Sequence, residues 1–258
     1  MLKITAKGVR TAFNNIFNHS FGRCNICGKH TVFLCRDISI ARNDMICFFC
    51  GSSSRNRHIA SLILGKLFKN LPSIARIPEI ETNIQIYDMA ADNVFSRYLR
   101  SYGNYRSSDF FPEIPAGQLI RENLFCQNVE QLTFTNESFD LVVSEDVFEH
   151  VRDYKKGFHE VARVLKPGGH HIFTVPCYFD KKTLIRVDTT GTQDVYLMPP
   201  EYHGDAVRGQ ILAYRTFGLD IFDDLSECGF NTELFTSRYM DQASGIFDSF
   251  VFVATKNV

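Results

Sequence analysis

The stretch that most restricts the fold runs from Ser138 to Pro176. Phe139-Asp140-Leu-Val-Val143 is an apolar run of strand length that opens into the polar turn Ser144-Glu145-Asp146. A helical pattern follows and ends in Phe158-His-Glu-Val-Ala-Arg-Val-Leu165. Lys166-Pro167-Gly168-Gly169 stops it, since proline brings no N–H to the helix ladder and glycine accepts the left-handed conformation of a helix end. His170-His-Ile-Phe-Thr-Val175-Pro176 then reads as a second strand. Two strands joined through a helix pair parallel, because the crossover carries the chain back to its starting edge. The expected architecture is a doubly wound α/β sheet.

The same alternation begins upstream. Ile84-Gln-Ile86-Tyr87-Asp88 reads as a strand, Met89-Ala90-Ala91-Asp92 as a turn, and the residues after it as a helix. A nucleotide-type cofactor usually meets glycine in such a turn, because a Cβ keeps the backbone from approaching the ligand. Here two alanines stand in its place. Asn104-Tyr-Arg-Ser-Ser108-Asp109 is a second short strand, and its terminal acid lies 21 residues after Asp88. At that distance in a βαβ unit a carboxylate can accept from both hydroxyls of a ribose, although an aspartate at a strand end also serves as a turn residue. Leu119-Ile-Arg-Glu122-Asn123-Leu124 is the third landmark.

The cysteines carry a separate signal. Cys35, Cys126, Cys177 and Cys228 are scattered, but Cys24-Asn-Ile-Cys27 and Cys47-Phe-Phe-Cys50 are paired, with nineteen residues between the pairs and glycine after each. Two such turns bring four sulfurs about 2.3 Å from one ion and complete a tetrahedron. Short strand-like runs lie between them, so the unit reads as a zinc ribbon holding structural Zn2+. Two disulfides or four chance thiols are the competing reading, disfavoured by the spacing and by the expected cytoplasmic context. Ser53 and its neighbours then offer an N-cap to the helix that begins near Arg55 and Arg57, whose charges oppose the helix dipole and call for an anionic partner.

Composition limits the functional classes. Hydrophobic residues make up 45% and charged residues 22% of the 258, a balance that can bury a sizeable core. No run approaches the roughly 18 apolar residues of a membrane span. The basic start MLKITAKGVRTAFNNIF lacks the apolar centre and cleavage site of a signal peptide, so a cytoplasmic location is expected. The net charge of −1 hides an asymmetry. Residues 1–58 carry Lys3, Lys7, Arg10, Arg23, Lys29, Arg36, Arg42, Arg55 and Arg57 against Asp37 and Asp44. Such a patch meets either an anionic partner or the acidic remainder of the same chain.

SFDLVVSEDVFEHV followed by EVARVLKPGGHHIFTVP resembles the central signature of class I S-adenosylmethionine-dependent methyltransferases. The C-terminal run Pro199-Pro200-Glu201-Tyr202-His203-Gly204-Asp205, with Phe217-Gly218 and Cys228-Gly229-Phe230, is similar to a bacterial subgroup that carries an N-terminal four-cysteine knuckle. The resemblance implies a Rossmann-like seven-stranded sheet with an antiparallel last strand, which Phe247-Asp-Ser-Phe-Val-Phe-Val-Ala254 fits. It also implies three regions: residues 1–71 with the ribbon at about 22–58 and a following helix, a linker over 72–83, and the methyltransferase domain over 84–258. S-adenosyl-L-methionine would then meet Asp88 and Ala90 with its methionine portion, Asp109 with its ribose and Asn123 with its adenine. Ser144 and Glu145 would line the pocket.

The activity so implied is methyl transfer to a hydroxyl or amine of a small-molecule or glycan-linked acceptor, an anionic one if the basic region contacts it. A hydroxyl acceptor gains from a general base, and His203 is the candidate, with Glu201 or Asp205 orienting its ring and Tyr202 and Arg208 shaping the pocket. Glu149 and His150 read as a pair that fixes the loop at a helix start, His170 and His171 as structural. Two rivals remain: an RNA methyltransferase that grips nucleic acid with the basic ribbon, and a non-catalytic cofactor-binding module.

Overall fold

The computed structural model describes residues 19–205, 207–237 and 241–258. Lys3, Lys7 and Arg10 of the basic stretch lie outside them. The chain divides into two compact units that do not follow linear boundaries. One gathers the residues up to Glu81 with Asn93–Tyr102 and Leu234–Val251; the other holds Thr82–Asp92, Gly103–Glu233 and Phe252–Val258.

The first unit opens with an antiparallel three-stranded sheet, β1 (His19–Arg23), β2 (His30–Leu34) and β3 (Ile46–Cys47). Helix α1 (Ser54–Leu67) starts at Ser53, whose hydroxyl accepts from the Asn56 N–H while the Asn56 side chain accepts from the Ser53 N–H at 2.8 Å. Two donors that a helix start leaves unsatisfied are met reciprocally. Its inner face buries Ile59, Ala60, Ile63 and Leu64. Residues within the expected linker form a 3-10 turn, Ile74–Glu79, rather than a free connection. Ile74 and Ile77 are fully buried, and the N–H groups of Ile74 and Ala75 donate to the carbonyls of Asn25 and Ile26. Helix α2 (Val94–Leu99) belongs to this unit and is capped by Asn93.

The second unit contains β4 (Ile86–Asp88), β5 (Tyr105–Asp109), β6 (Leu119–Arg121), β7 (Leu124–Cys126), β8 (Phe139–Glu145), α3 (Tyr154–Val164) and β9 (Leu165–Thr174). Short strands follow: β10 (Leu184–Ile185), β11 (Val187–Asp188), β12 (Val195–Tyr196), the hairpin β13 (Glu201–Asp205) and β14 (Gly209–Ala213), and β15 (Arg215–Thr216). Helix α4 (Ile221–Glu227) precedes the last two strands, β16 (Phe230–Ser237) and β17 (Ser249–Lys256). The large sheet has eight strands in the order β16-β17-β9-β8-β4-β5-β7-β6. Strands β9, β8, β4, β5 and β7 run parallel, and β17 pairs antiparallel with β9.

The sheet thus has one strand more than the seven expected. Glu122 adopts φ 39°, so Leu119–Leu124 folds back as an antiparallel pair instead of running on as one strand. A second departure lies after β8. The helix expected to run on from the turn is interrupted: a 3-10 turn covers Phe148–His150, and α3 begins anew at Tyr154 behind the Asp153 cap. The cause is Arg215, whose guanidinium donates to the carbonyls of Phe148, Val151 and Arg152 and so takes acceptors that a continuous helix would use. Past the break, Phe158, Val161 and Val164 recur at helical spacing with no exposure. Burying each contributes roughly 1.5–3 kcal/mol. Among the described residues, no helix is long and apolar enough to cross a membrane.

Candidate functional site

The four paired cysteines converge in the first unit. Cys24 Sγ lies 3.7 Å from Cys50 Sγ, and Cys27 Sγ lies 4.0 Å from Cys47 Sγ. Sulfurs on a tetrahedron of 2.3 Å Zn–S bonds stand about 3.8 Å apart, whereas a disulfide would bring them to about 2 Å. The donor set fits Zn2+. Gly28 and Gly51 hold φ 76° and 73°, and their N–H groups donate to the carbonyls of Cys24 and Cys47, closing each knuckle turn. Burial pushes the Cys27 thiol up to about 11, a cost that a bound cation removes by stabilising the thiolate.

Arg57 lies beside these cysteines. It is fully buried, its guanidinium donates to the carbonyls of Ser52, Met45, Ser244 and Gly245, and it faces the four sulfurs while lying 4.2 Å over Phe33. Four thiolates around a Zn2+ ion would leave a net charge of −2, of which a buried guanidinium would offset one unit. Arg36 pairs with Asp44 and Arg42 lies over Phe250, so part of the basic surface read from the sequence is spent inside the unit.

In the second unit the parallel strands align their carboxyl ends. Register pairs Asp88 with Ser107 and with Val143, Asp109 with Cys126, and Glu145 with Thr174. Asp88 is buried and its carboxylate accepts from the Tyr105 hydroxyl at 2.9 Å, so it backs the loop rather than projecting from it. Ala90 and Ala91 follow, half-buried. Asp109 caps its strand end by accepting the Phe110 N–H at 2.8 Å and takes a further bond from the Ala91 N–H, which ties the two strand ends together. Burial raises its pKa above the ordinary carboxylate value. Arg208 reaches it at 3.2 Å while also pairing with Asp205. Small side chains at the first strand end and an oriented carboxylate at the second suit a ribose-bearing cofactor.

Two expected positions fall elsewhere. Asn123 stands at the amino end of β7, because the strand runs on from Leu124 to Cys126; its carboxyl end, paired with Asp109, is Cys126. Ser144 does not line a pocket: it is fully buried, and its hydroxyl lies 2.9 Å from His171 Nε2 in the core. Glu145, next along β8 on the opposite face, is half-buried at the edge.

His203 sits on β13. Its Nε2 lies 3.1 Å from Glu201 Oε1, and Glu201 is itself held by Arg186 at 2.6 Å. Its Nδ1 lies 3.2 Å from His150 Nε2 and 3.9 Å from Glu149 Oε1. His150 in turn lies 2.8 Å from the Leu212 carbonyl through Nδ1, and burial lowers its pKa. Glu149, at zero exposure, faces both rings. Glu149 and His150 therefore do more than fix a loop: they form one cluster with His203. The sequence shows both parts, but the 53 residues between His150 and His203 conceal their meeting. One hairpin thus carries His203 to the cluster and Arg208 to Asp109. Beside it, Arg152, Tyr154, Ile185, Val187, Leu197 and Arg215 line a groove of about 590 Å³.

Residues 91–173 match a family model described as a methyltransferase domain. An 80-residue segment is 32% identical to an uncharacterized protein of Methanocaldococcus jannaschii and covers 31% of this chain and 34% of that one. A 57-residue segment is 39% identical to a sarcosine/dimethylglycine N-methyltransferase of Aphanothece halophytica, covering 22% of this chain and 21% of that one. The chain thus spans about a third and a fifth of the length of these two relatives. A crystal structure of an S-adenosylmethionine-dependent methyltransferase from Mesorhizobium loti is similar over 71% of this chain and 98% of that one, at 17% identity and a TM-score of 0.43.

Proposed function

We propose that this chain, whose residues 91–173 match a methyltransferase domain, is a class I S-adenosylmethionine-dependent methyltransferase that transfers a methyl group to a hydroxyl or amine of a small-molecule or glycan-linked acceptor. The observation that carries this reading is the hairpin β13–β14, which sets His203 against His150 and Arg208 against Asp109. A proton-accepting cluster and a candidate ribose carboxylate are thereby joined by one element. The cofactor supplies an electrophilic methyl on a sulfonium, and in-line displacement then asks the protein mainly to position two reactants. Asp109 would accept from the ribose hydroxyls, Ala90 would border the methionine portion with Asp88 bracing the loop from behind, and Glu145 would stand beside the pocket. The role expected of Asn123 passes to the residues after Cys126.

His203 would take the acceptor proton. Its Nε2 faces Glu201, whose carboxylate can only accept, so the ring's N–H points there and the Nδ1 lone pair turns inward. An amine acceptor has support in the sarcosine/dimethylglycine relative. A tritiated-methyl transfer screen over nucleotide sugars, glycans, small amines and RNA tests the proposal. Label on a small molecule is the expected result. Cofactor binding without turnover on any class would favour the non-catalytic module.

RNA as acceptor has one observation in its favour. The ribbon exposes Phe21, Phe48 and Phe49, with Lys29 Nζ 4.8 Å over the Phe49 ring, and bases stack on such rings. It predicts affinity that falls steeply with salt.

A further inference from the structure

We infer that Glu149, His150 and His203 form a binding site for one divalent first-row transition cation, separate from the four-cysteine centre. The reason is how the lone pairs converge. His150 Nδ1 lies 2.8 Å from the Leu212 carbonyl, which can only accept, so Nδ1 carries the proton and Nε2 presents its lone pair. His203 is fixed the same way by Glu201, so its Nδ1 presents a lone pair too. These two nitrogens stand 3.2 Å apart, and Glu149 Oε1 stands 3.6 Å from one and 3.9 Å from the other. Three ligand atoms thus face one point.

The spacing suits an ion. A point equidistant from the three atoms lies about 2.1 Å from each, the length of a Zn–N or Zn–O bond. Each imidazole donates its remaining N–H to an oxygen, which is how metal-bound histidines are held in tautomer and orientation. Two imidazoles and a carboxylate select a borderline cation such as Zn2+, Co2+ or Fe2+ over Ca2+, which takes oxygen ligands. Three protein ligands leave coordination positions open, and His203, a third exposed, lies on the side that solvent reaches.

The site's use rests on the transferase reading, with His203 then serving as a ligand to the cation in place of acting as the base. An acceptor hydroxyl bound to the cation would lose its proton to a solvent base at lower pH, because the positive charge stabilises the oxyanion. The oxygen would then bond to the methyl carbon as the C–S bond breaks, with the electron pair leaving on sulfur.

The test titrates Co2+ into the full chain with its zinc in place. A site of two imidazoles and a carboxylate gives visible d–d bands without the thiolate charge-transfer bands that would report zinc displaced from the cysteines. One Co2+ per chain is expected, and His203→Ala and Glu149→Gln should each weaken it tenfold or more. Glu149 is fully buried and its variant can misfold, so His203→Ala on the half-exposed hairpin decides. Absence of cobalt bands, bands of thiolate type, or equal affinity in His203→Ala would overturn the site. Calorimetry of S-adenosylmethionine on the same preparations separates the two ideas: cobalt without cofactor sinks the transferase, and cofactor without cobalt sinks only the cation site.

Discussion

At the residue scale, Asp109 carries the clearest expectation. A hydrogen-bonded, charge-assisted contact to a ribose is worth on the order of 2–3 kcal/mol. Asp109→Ala should therefore weaken S-adenosylmethionine binding by roughly 30- to 150-fold, read by calorimetry on folded protein. An unchanged affinity would remove Asp109 from the site. His203→Ala acts on a different quantity: kcat should fall by about 10²-fold or more while cofactor affinity is kept. Turnover of the true acceptor at the parent rate would refute the assignment of the base. The place of Asp109 as an acid closing a short strand was legible in the sequence, whereas the hairpin that carries His203 was not. Ser144 and Asn123 were misread, because strand alternation and the exact strand end decide which side chains reach the edge. Neither is written in residue type.

At the element scale, the ribbon was legible because metal geometry permits few spacings. Elemental analysis of protein purified without added metal should find about one zinc per chain, and a metal-free but folded preparation would contradict the site. Structural zinc contributes folding energy outright. Cys24→Ser should therefore unravel β1–β3, leave the buried Arg57 facing an incomplete thiolate set, and free the turn at Ile74–Glu79. The parallel strands of the second unit should survive it. Limited proteolysis checks this, with cuts expected near residues 24–80 and protection of β8 and β9. Two element errors have separate causes. The break between the Phe148–His150 turn and α3 is made by Arg215, and the β6–β7 fold-back by the backbone at Glu122. Periodicity reports neither a distant guanidinium nor a single left-handed residue.

At the scale of the whole molecule, alternating apolar runs made the parallel sheet readable. The division into units was not, because Asn93–Tyr102 and Leu234–Val251 join the first unit from far along the chain. The buried histidines give a test of how the core as a whole responds to pH. His171 is fully buried, stacks 4.3 Å from Phe173, and burial lowers its pKa from the ordinary 6.5 to about 3. His58, in the first unit, falls to about 4 through burial and the nearby charge of Arg42. In the unfolded chain both rings bind a proton below about pH 6.5, whereas in the folded chain they stay neutral well below it. Their contribution to stability is thus fully present above pH 6.5 and lost as pH falls from there toward the folded values. Urea unfolding should show this loss between pH 6.5 and about pH 5, a range above the ordinary carboxylate values. For His171 alone it amounts to roughly 1.5 kcal/mol over that span. Comparison with His171→Gln cancels the zinc thiolates and His58, which both proteins share. The variant's stability should therefore fall less steeply by that amount, and parallel curves would mean that His171 is protonated in the folded core.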